Sequence, residues 1–253
     1  MKDIIKNTIY SLLLFFCVLI VGVCAYLLVS KVTVYKEDRD KYEQTLVEYT
    51  NNEATENSAE EFTVDFDGLR AINPDVVAWI RFENPAVISY PVVQAPENQS
   101  YLYRSWDGSW NYAGAIFLNA HNANDFSDFN TTIYGHRMND GSMFDELKQF
   151  RNQDFVNQNK YFTVYLLDGT KNTYEIFAMG EVYDASSAYY TNFDEDEEKE
   201  SYIAERRSNS VIQTDTQVGS SDKIVSLSTC TNHDGSKRWY LQGKLIKETK
   251  IVK

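Results

Sequence analysis

The strongest constraint on this chain is a run of 24 residues without a charge near its N-terminus, from Asn7 to Ser30. The run is rich in Leu, Val, Ile and Phe. As a helix it rises about 36 Å, which is enough to cross a hydrocarbon core of about 30 Å. The apolar region of a cleaved signal peptide is shorter, about 7 to 15 residues. The sequence therefore predicts a transmembrane anchor at 7–30, after a cytoplasmic N-terminus at 1–6.

The charges around the anchor and in the rest of the chain bear on its location. Lys2 and Lys6 precede the run and Lys31 and Lys36 follow it, so the positive-inside rule barely discriminates. Because a long C-terminal domain is translocated largely regardless of its charge, we expect a single-pass protein of the cell membrane with an extracellular domain. The net charge of −13 argues against a nucleic-acid partner, which requires a basic surface.

The chain after the anchor divides into a polar segment and a domain. Residues 31–64 are predicted to form a juxtamembrane helix and then a loose linker. Residues 65–253 are long enough to bury one sizeable core. Cys17 and Cys24 lie within the anchor, which leaves Cys230 without a partner in the domain. The domain must therefore be stabilised by its core alone, without disulfides.

Apolar runs between turn residues predict eight strands in this domain. Short helices are predicted at 65–73, 143–150 and 194–207, and Asp168-Gly169 is typical of a hairpin turn. This pattern favours a mainly β domain, a small eight-stranded barrel with peripheral helices. The predicted strands cover 76–82, 88–93, 115–118, 131–134, 162–167, 173–179, 224–229 and 239–246.

One cysteine of the domain is a candidate nucleophile. Cys230 follows the apolar run 223–227, and a buried inert thiol is the ordinary alternative for such a residue. His136 comes directly after a predicted strand and a glycine, which makes it a candidate base at a strand end. Arg238 begins the next predicted strand. If the two strands are antiparallel neighbours, Cys230 and Arg238 share one rim, where a guanidinium can stabilise an oxyanion.

Other titratable residues have simpler interpretations. His121 and His233 lie in polar, loop-like stretches and are expected at the surface, although His233 is close enough to Cys230 to be a weak rival base. The acidic run 194–198 lacks the spacing and the glycine of a calcium loop, so we interpret it as a solvated helix face. No metal and no cofactor are predicted.

Taken together, these motifs resemble a known family. Leu227-Ser228-Thr229-Cys230 resembles the Leu-x-Thr-Cys signature of sortases, the transpeptidases that attach proteins to Gram-positive cell walls. Tyr134-Gly135-His136 is similar to their histidine motif, and Arg238 falls where their arginine does. The resemblance covers about 66–247 and is most specific to class B. Four more segments are similar to class B members: 72–80, 90–94, 114–118 and 141–144.

The resemblance implies a sortase-type barrel and assigns roles to particular residues. Cys230, His136 and Arg238 are implied to be catalytic. Asn98 and Leu102 match positions that line the substrate groove, and the helix at 194–207 resembles one that walls it. The stretch Asn119-Ala120-His121 departs from similar members, which often carry an acidic residue there. The remaining implied substrate-binding residues are Tyr134, Tyr189, Tyr190, Ser228 and Thr229.

The implied reaction is a transpeptidation of surface proteins that bear a C-terminal sorting signal. Cys230 attacks a threonine carbonyl of the signal, His136 protonates the leaving amine, and Arg238 steadies the oxyanion. An amine of a peptidoglycan precursor then resolves the thioester. Three alternatives stay open: a pilin polymerase that uses a pilin lysine, a cysteine hydrolase that uses water, and a non-catalytic adhesion domain. The complete set of Cys, His and Arg argues against the third alternative.

Overall fold

A computed structural model describes residues 2–51, 61–184, 186–231 and 235–251 of the chain. It begins with the helix α1, Lys2–Tyr49. In the described part of the chain, α1 is the one helix that is long and apolar enough to cross a membrane. The helix continues through the polar segment where the sequence predicts a separate juxtamembrane helix, because neither proline nor glycine interrupts residues 31–49. Most of the predicted linker, 52–60, lies outside the described residues.

The predicted eight-stranded barrel is confirmed. The strands close in the order β1-β2-β3-β4-β7-β8-β6-β5, so no strand is left with an unpaired edge. All eight predicted strands are present, and β6 and β8 extend well beyond their predicted limits because they pair with each other along 14 residues each. The strands are β1 Val76–Arg81, β2 Ser89–Val93, β3 Ile116–Leu118, β4 Asn130–Tyr134, β5 Tyr161–Leu166, β6 Thr170–Tyr183, β7 Ile224–Cys230 and β8 Lys237–Lys250.

The helices lie outside the barrel. The first, α2 (Phe66–Ile72), begins at Asp65, whose side chain accepts a hydrogen bond from the Gly68 amide. The predicted helix at 143–150 is a 3₁₀ helix, Asp145–Arg151. A further short helix, α3 (Gln153–Gln158), is capped by Asn152 and was not predicted from the sequence. The acidic helix is present as α4, Asp196–Ser208.

Aromatic rings fill much of the barrel interior. The ring of Phe162 on β5 stacks between Phe82 and Tyr174, with 5.1 Å between ring centroids on each side. Gly243 on β8 provides the room for this stack, since a Cβ atom there would lie 2.4 Å from the Phe162 ring. Trp79, which is fully buried, donates to the hydroxyl of Ser89 across the β1–β2 pair. The core thus stabilises the barrel without disulfides.

Three adjacent strands bring the candidate residues together. β7 pairs in parallel with β4, with Tyr134 opposite Ser228. On its other side β7 pairs antiparallel with β8, with Cys230 opposite Arg238. Because His136 follows β4 by two residues, the three candidate catalytic residues come from neighbouring strand ends at one rim of the barrel.

Candidate active site

A cleft of about 320 Å³ opens at this rim. It contains Cys230, His136 and Arg238 together with every predicted substrate-binding residue except Tyr190. The Tyr190 side chain is 59% exposed, and its carbonyl accepts a hydrogen bond from Asn130. His121, the histidine predicted at the surface, is exposed and outside the cleft, and His233 lies outside the described residues. The lining is Asn98, Gln99, Leu102, Phe117, Tyr134, Gly135, His136, Asp184, Tyr189, Ser228, Thr229, Cys230 and Arg238.

Cys230 is the last residue of β7 and the only residue of that strand that is not fully buried. The preceding residues are anchored on both sides, since β7 bonds to β4 and to β8. The thiol is therefore presented at the mouth of the cleft from a rigid strand. This placement differs from that of a cysteine within the core, and it suits a nucleophile that must meet a polypeptide substrate.

The ring of His136 is oriented by the backbone of a neighbouring loop. Its Nε2 atom lies 2.7 Å from the carbonyl oxygen of Leu102. A carbonyl only accepts hydrogen bonds, so Nε2 carries a proton and donates it to this bond. Nδ1 is then the nitrogen left to exchange a proton. The ring of Tyr103 lies beside the imidazole, with 5.9 Å between centroids.

The environment of His136 favours the neutral imidazole. Burial lowers the pKa of His136 from its ordinary value, and the positive charge of Arg238 lowers it further, while the bond to the Leu102 carbonyl acts in the opposite direction. The effect of burial on the pKa is the largest of the three, so His136 is uncharged in most enzyme molecules at neutral pH. The imidazolium needed to protonate a leaving amine is thus a minor species.

Two glycines let the backbone pass close to this histidine. A Cβ atom on Gly135 would lie 2.5 Å from the Ile116 side chain and 2.7 Å from the Phe144 ring. Gly114 has a φ of +63°, and a Cβ atom there would lie 2.6 Å from the Leu102 carbonyl oxygen and 2.9 Å from the His136 ring. A side chain at Gly114 would displace the histidine or its hydrogen-bond acceptor, and a side chain at Gly135 would displace the packed Ile116 and Phe144 side chains next to the histidine in the chain.

Side chains at the C-terminal end of α1 form hydrogen bonds with the segment that contains Gly114. The hydroxyl of Tyr42 donates to the carbonyl of Gly114 at 2.6 Å. One turn later, Thr45 accepts a hydrogen bond of 2.9 Å from the indole of Trp106, and the ring of Tyr49 packs edge-on against that indole. This contribution of the helix was not predicted from the sequence. The spacing of Tyr42, Thr45 and Tyr49 by three and four residues is the signal of a packed helix face.

Arg238 is held mainly by its own turn. Its Nη1 atom donates to the carbonyls of Gly235 at 2.6 Å and Lys237 at 2.9 Å. Its Nη2 atom is 3.8 Å from a carboxylate oxygen of Asp184, a residue that also lines the cleft. Arg238 thus lines the cleft from β8, which pairs with β7 on the side opposite to β4.

Tyrosines form the wall beside Ser228. The hydroxyls of Tyr189 and Ser228 are 2.8 Å apart and share a hydrogen bond. The ring of Tyr134 packs against that of Tyr189 with 5.7 Å between centroids. Burial raises the pKa of Tyr134 to about 12 and raises that of Tyr189 as well, so both hydroxyls are neutral hydrogen-bonding groups.

Asn98 and the atypical 119–121 stretch form a second wall. The side-chain carbonyl of Asn98 accepts a hydrogen bond of 2.7 Å from the Ala120 amide. Asn119 is buried and donates to the Tyr134 hydroxyl at 3.2 Å. The neutral amide of Asn119 thus connects this wall to Tyr134.

The acidic helix α4 supports the cleft without lining it. The hydroxyl of Tyr202 on α4 donates to the Ala188 carbonyl at 3.0 Å, next to Tyr189 of the wall. Arg206 on α4 is fully buried and contacts the short segment 187–189, to which Ala188 and Tyr189 belong. None of its residues lines the cleft of about 320 Å³, and its role as a wall of the wider substrate groove stays a prediction. Among the described residues there is no group of three or more side chains arranged to hold a metal ion.

Comparisons with known proteins agree with this geometry. The model of the sortase domain family matches residues 85–246, well over half of the chain. A sortase B of Listeria monocytogenes is 35% identical over 217 residues, which cover 82% of this chain and 86% of the relative. The chain belongs to the sortase family. It is a class B sortase, a cysteine transpeptidase.

Solved structures of class B sortases share the fold. Sortase B of Bacillus anthracis in complex with AAEK1 superposes with a TM-score of 0.74 at 30% identity, over 85% of this chain and 99% of that one. A Staphylococcus aureus sortase B–substrate complex gives a TM-score of 0.72 at 26% identity, again over 85% and 99% of the two chains. Sortases are cell-surface enzymes, and the apolar helix α1 fits a membrane anchor.

Proposed function

We propose that this sortase cleaves a C-terminal sorting signal after a threonine and transfers the protein to an amine of the cell wall. The observation that supports this proposal is the convergence of Cys230, His136 and Arg238 on one cleft from three adjacent strand ends. Residues 7–30 anchor the enzyme as a single span, with the catalytic domain on the extracellular side.

The geometry suggests a role for each residue in forming the thioester. The Cys230 thiolate attacks the threonine carbonyl, and the negative charge that develops on the carbonyl oxygen faces the guanidinium of Arg238. Nδ1 of His136 gives its proton to the leaving amine. Nε2 stays bonded to the Leu102 carbonyl throughout, so the ring keeps one orientation for both halves of the reaction.

The residues around the thiol suggest how the signal is held. Tyr189, Ser228 and Asn98 present neutral hydrogen-bonding groups in the cleft, while Leu102 and the ring of Tyr134 offer apolar surface. This mixture suits an extended peptide, whose backbone needs hydrogen-bond partners and whose side chains need packing. Thr229 lies next to the nucleophile on the same strand.

A peptide library tests the proposal directly. The full-length enzyme in detergent is incubated with threonine-containing peptides, and intact-protein mass spectrometry detects an acyl-enzyme that Cys230→Ala cannot form. We expect a trapped thioester with some of the peptides, and a new amide when a peptide amine is added. A thioester that reacts only with water would identify a hydrolase, transfer only to lysine side chains would identify a pilin polymerase, and an unreactive Cys230 would rule out the proposal.

A further inference from the structure

A row of buried polar side chains continues the face of the sheet that carries the wall of the cleft. Side chains an even number of residues apart on a strand share a face, so Asn130 on β4 and Ser226 on β7 lie on the face of Tyr134 and Ser228. Gln242 on β8 is directly opposite Ser226. The buried row, Asn130, Ser226 and Gln242, has no exposed surface. Because buried polar groups destabilise a protein unless they are hydrogen-bonded, the partners of the row indicate its role.

The hydrogen bonds of the buried row lead to the backbone of the segment that follows β6. The side-chain amide of Gln242 donates to the hydroxyl of Ser226 at 2.8 Å. Ser226 donates in turn to the side-chain oxygen of Asn130 at 2.6 Å. The amide nitrogen of Asn130 then donates to the carbonyls of Ala188 at 3.3 Å and Tyr190 at 2.9 Å. The last donors of the row are thus used on two carbonyls that lie two residues apart.

A second branch of the same network comes from α4. Gln242 also donates to the hydroxyl of Tyr202 at 2.6 Å, and this hydroxyl donates to the Ala188 carbonyl at 3.0 Å. A backbone carbonyl accepts two hydrogen bonds, so the carbonyl of Ala188 is fully used. Tyr189 lies between Ala188 and Tyr190 in the chain and is therefore fixed through both neighbours.

The segment needs this support because it is short. Residues Ser187–Tyr189 form a single 3₁₀ turn, whose own hydrogen bonds are too few to make it stable alone. Tyr189 nevertheless has a defined place in the wall, where its hydroxyl bonds to that of Ser228 at 2.8 Å and its ring packs against Tyr134. The buried row supplies the contacts that set this place from inside the protein.

We propose that Asn130, Ser226 and Gln242 are positioning residues for the donor substrate. They hold the backbone on both sides of Tyr189, so that Tyr189 and Ser228 keep one spacing in the wall that contacts the sorting signal. The inference rests on the proposed function. It adds that the affinity for the sorting signal depends on three buried side chains that do not contact the substrate.

Single-turnover acylation separates donor binding from the reactivity of the thiol. A threonine-containing peptide that acylates the full-length enzyme is used at increasing concentration, and mass spectrometry gives the acylation rate. We expect Asn130→Ala to raise the half-saturating concentration about tenfold, because two buried carbonyls lose their donor. The rate at which iodoacetamide alkylates Cys230 should stay at the wild-type value, since the thiol is not part of the buried row.

Three further variants separate positioning from a general loss of stability. Asn172→Ala removes a buried amide of β6 outside the cleft and should leave the half-saturating concentration unchanged. Ser226→Ala is the milder change if Asn130→Ala does not fold, and it should raise that concentration about threefold. If Asn130 acts through Tyr189, adding Tyr189→Phe to Asn130→Ala should raise it little further. Equal effects of Asn130→Ala and Asn172→Ala, or additive effects with Tyr189→Phe, would overturn the proposal.

Hydrogen exchange tests the positioning without any substrate. The backbone amides of Tyr189 and Tyr190 are bonded within the turn and exchange when it opens. We expect them to exchange faster in Asn130→Ala but not in Asn172→Ala. Unchanged exchange in Asn130→Ala would overturn the inference while leaving the proposed function intact. Faster exchange, together with a wild-type enzyme that no peptide acylates, would instead contradict the proposed function.

Discussion

His136 and Arg238 lie on either side of Cys230, and the protein holds them by different means. His136 is held by distant parts of the chain: its Nε2 atom bonds to the Leu102 carbonyl, and the backbone at Gly114 passes close to its ring. Arg238 is held by two carbonyls of its own turn and by a 3.8 Å approach to Asp184. One residue is positioned by the tertiary structure, the other by local chain geometry.

The difference fits the proposed tasks of the two residues. A proton transfer requires a donor and an acceptor at hydrogen-bond distance, and His136 must meet this requirement for two different amines. Stabilising an oxyanion is an electrostatic task, for which the planar fork of five donors offers several directions of hydrogen bonding. The His136 side of the site should therefore respond to packing changes, and the Arg238 side to changes in charge and donor geometry.

Replacement of Arg238 should have the largest effect. Loss of an oxyanion donor usually lowers the rate about 10²- to 10³-fold, and we expect this from Arg238→Ala. Arg238→Lys should be nearly as damaging, because lysine keeps the charge but lacks the planar fork. The measurement is the rate of acyl-enzyme formation. Near-normal activity of the lysine variant would show that charge alone suffices on this side.

Gly114→Ala should have the next largest effect, through the histidine. The added Cβ atom would overlap the Leu102 carbonyl and the His136 ring, and a misplacement of about 1 Å can lower the rate about 100-fold. The control is Gly108→Ala on the same loop. Gly108 has a similar φ of +82° but no atom within 4 Å of its Cβ position. Equal losses in the two variants would attribute the effect to backbone strain and not to the histidine.

The Tyr42→Phe change removes a hydrogen bond to Gly114, which lies on the His136 side of the site but further from the reacting atoms. The variant leaves the buried carbonyl of Gly114 without its 2.6 Å bond, and we expect a loss of about 1 to 2 kcal/mol in the free energy of unfolding. Thermal unfolding of the detergent-solubilised protein should show a lower Tm by several degrees. Tyr183→Phe, at a side chain that is 62% exposed, is the control and should leave the Tm in place.

The pH profile should show the smallest effect, a shift of one limb. Titration of the His136 imidazole gives the acid limb of the kcat/KM profile, and an ordinary histidine pKa would place the midpoint of that limb at about pH 6.5. Since burial lowers the pKa of His136, protonation of the imidazole requires a lower pH and the acid limb moves below about pH 6.5. His121→Gln should leave that limb in place, because His121 is exposed and outside the cleft. An acid limb above pH 6.5 would contradict the buried imidazole.

The local pattern of the sequence was sufficient for much of the fold. Apolar runs between turn residues predicted all eight strands, because a buried strand and its turns have a local composition. The interval between Cys230 and Arg238 indicated a shared rim on condition that their strands are antiparallel neighbours, and in the structure these strands pair in that way. The length of β8 was underestimated because its outer residues are exposed or half-buried and are held in the strand by pairing with β6, which is extended by the same pairing.

The sequence by itself determined the apolar helix, the barrel strands and the identities of the three candidate catalytic residues. Only the tertiary structure decided how His136 is held, because its acceptor Leu102 and its neighbour Gly114 are 34 and 22 positions away along the chain. The tertiary structure also decided that Tyr42 hydrogen-bonds to Gly114 and that no residue of α4 lines the cleft. The physical reason is the separation of the interacting residues along the chain. Strands are determined largely by neighbouring residues, whereas a buried hydrogen bond between distant segments forms only when the barrel closes.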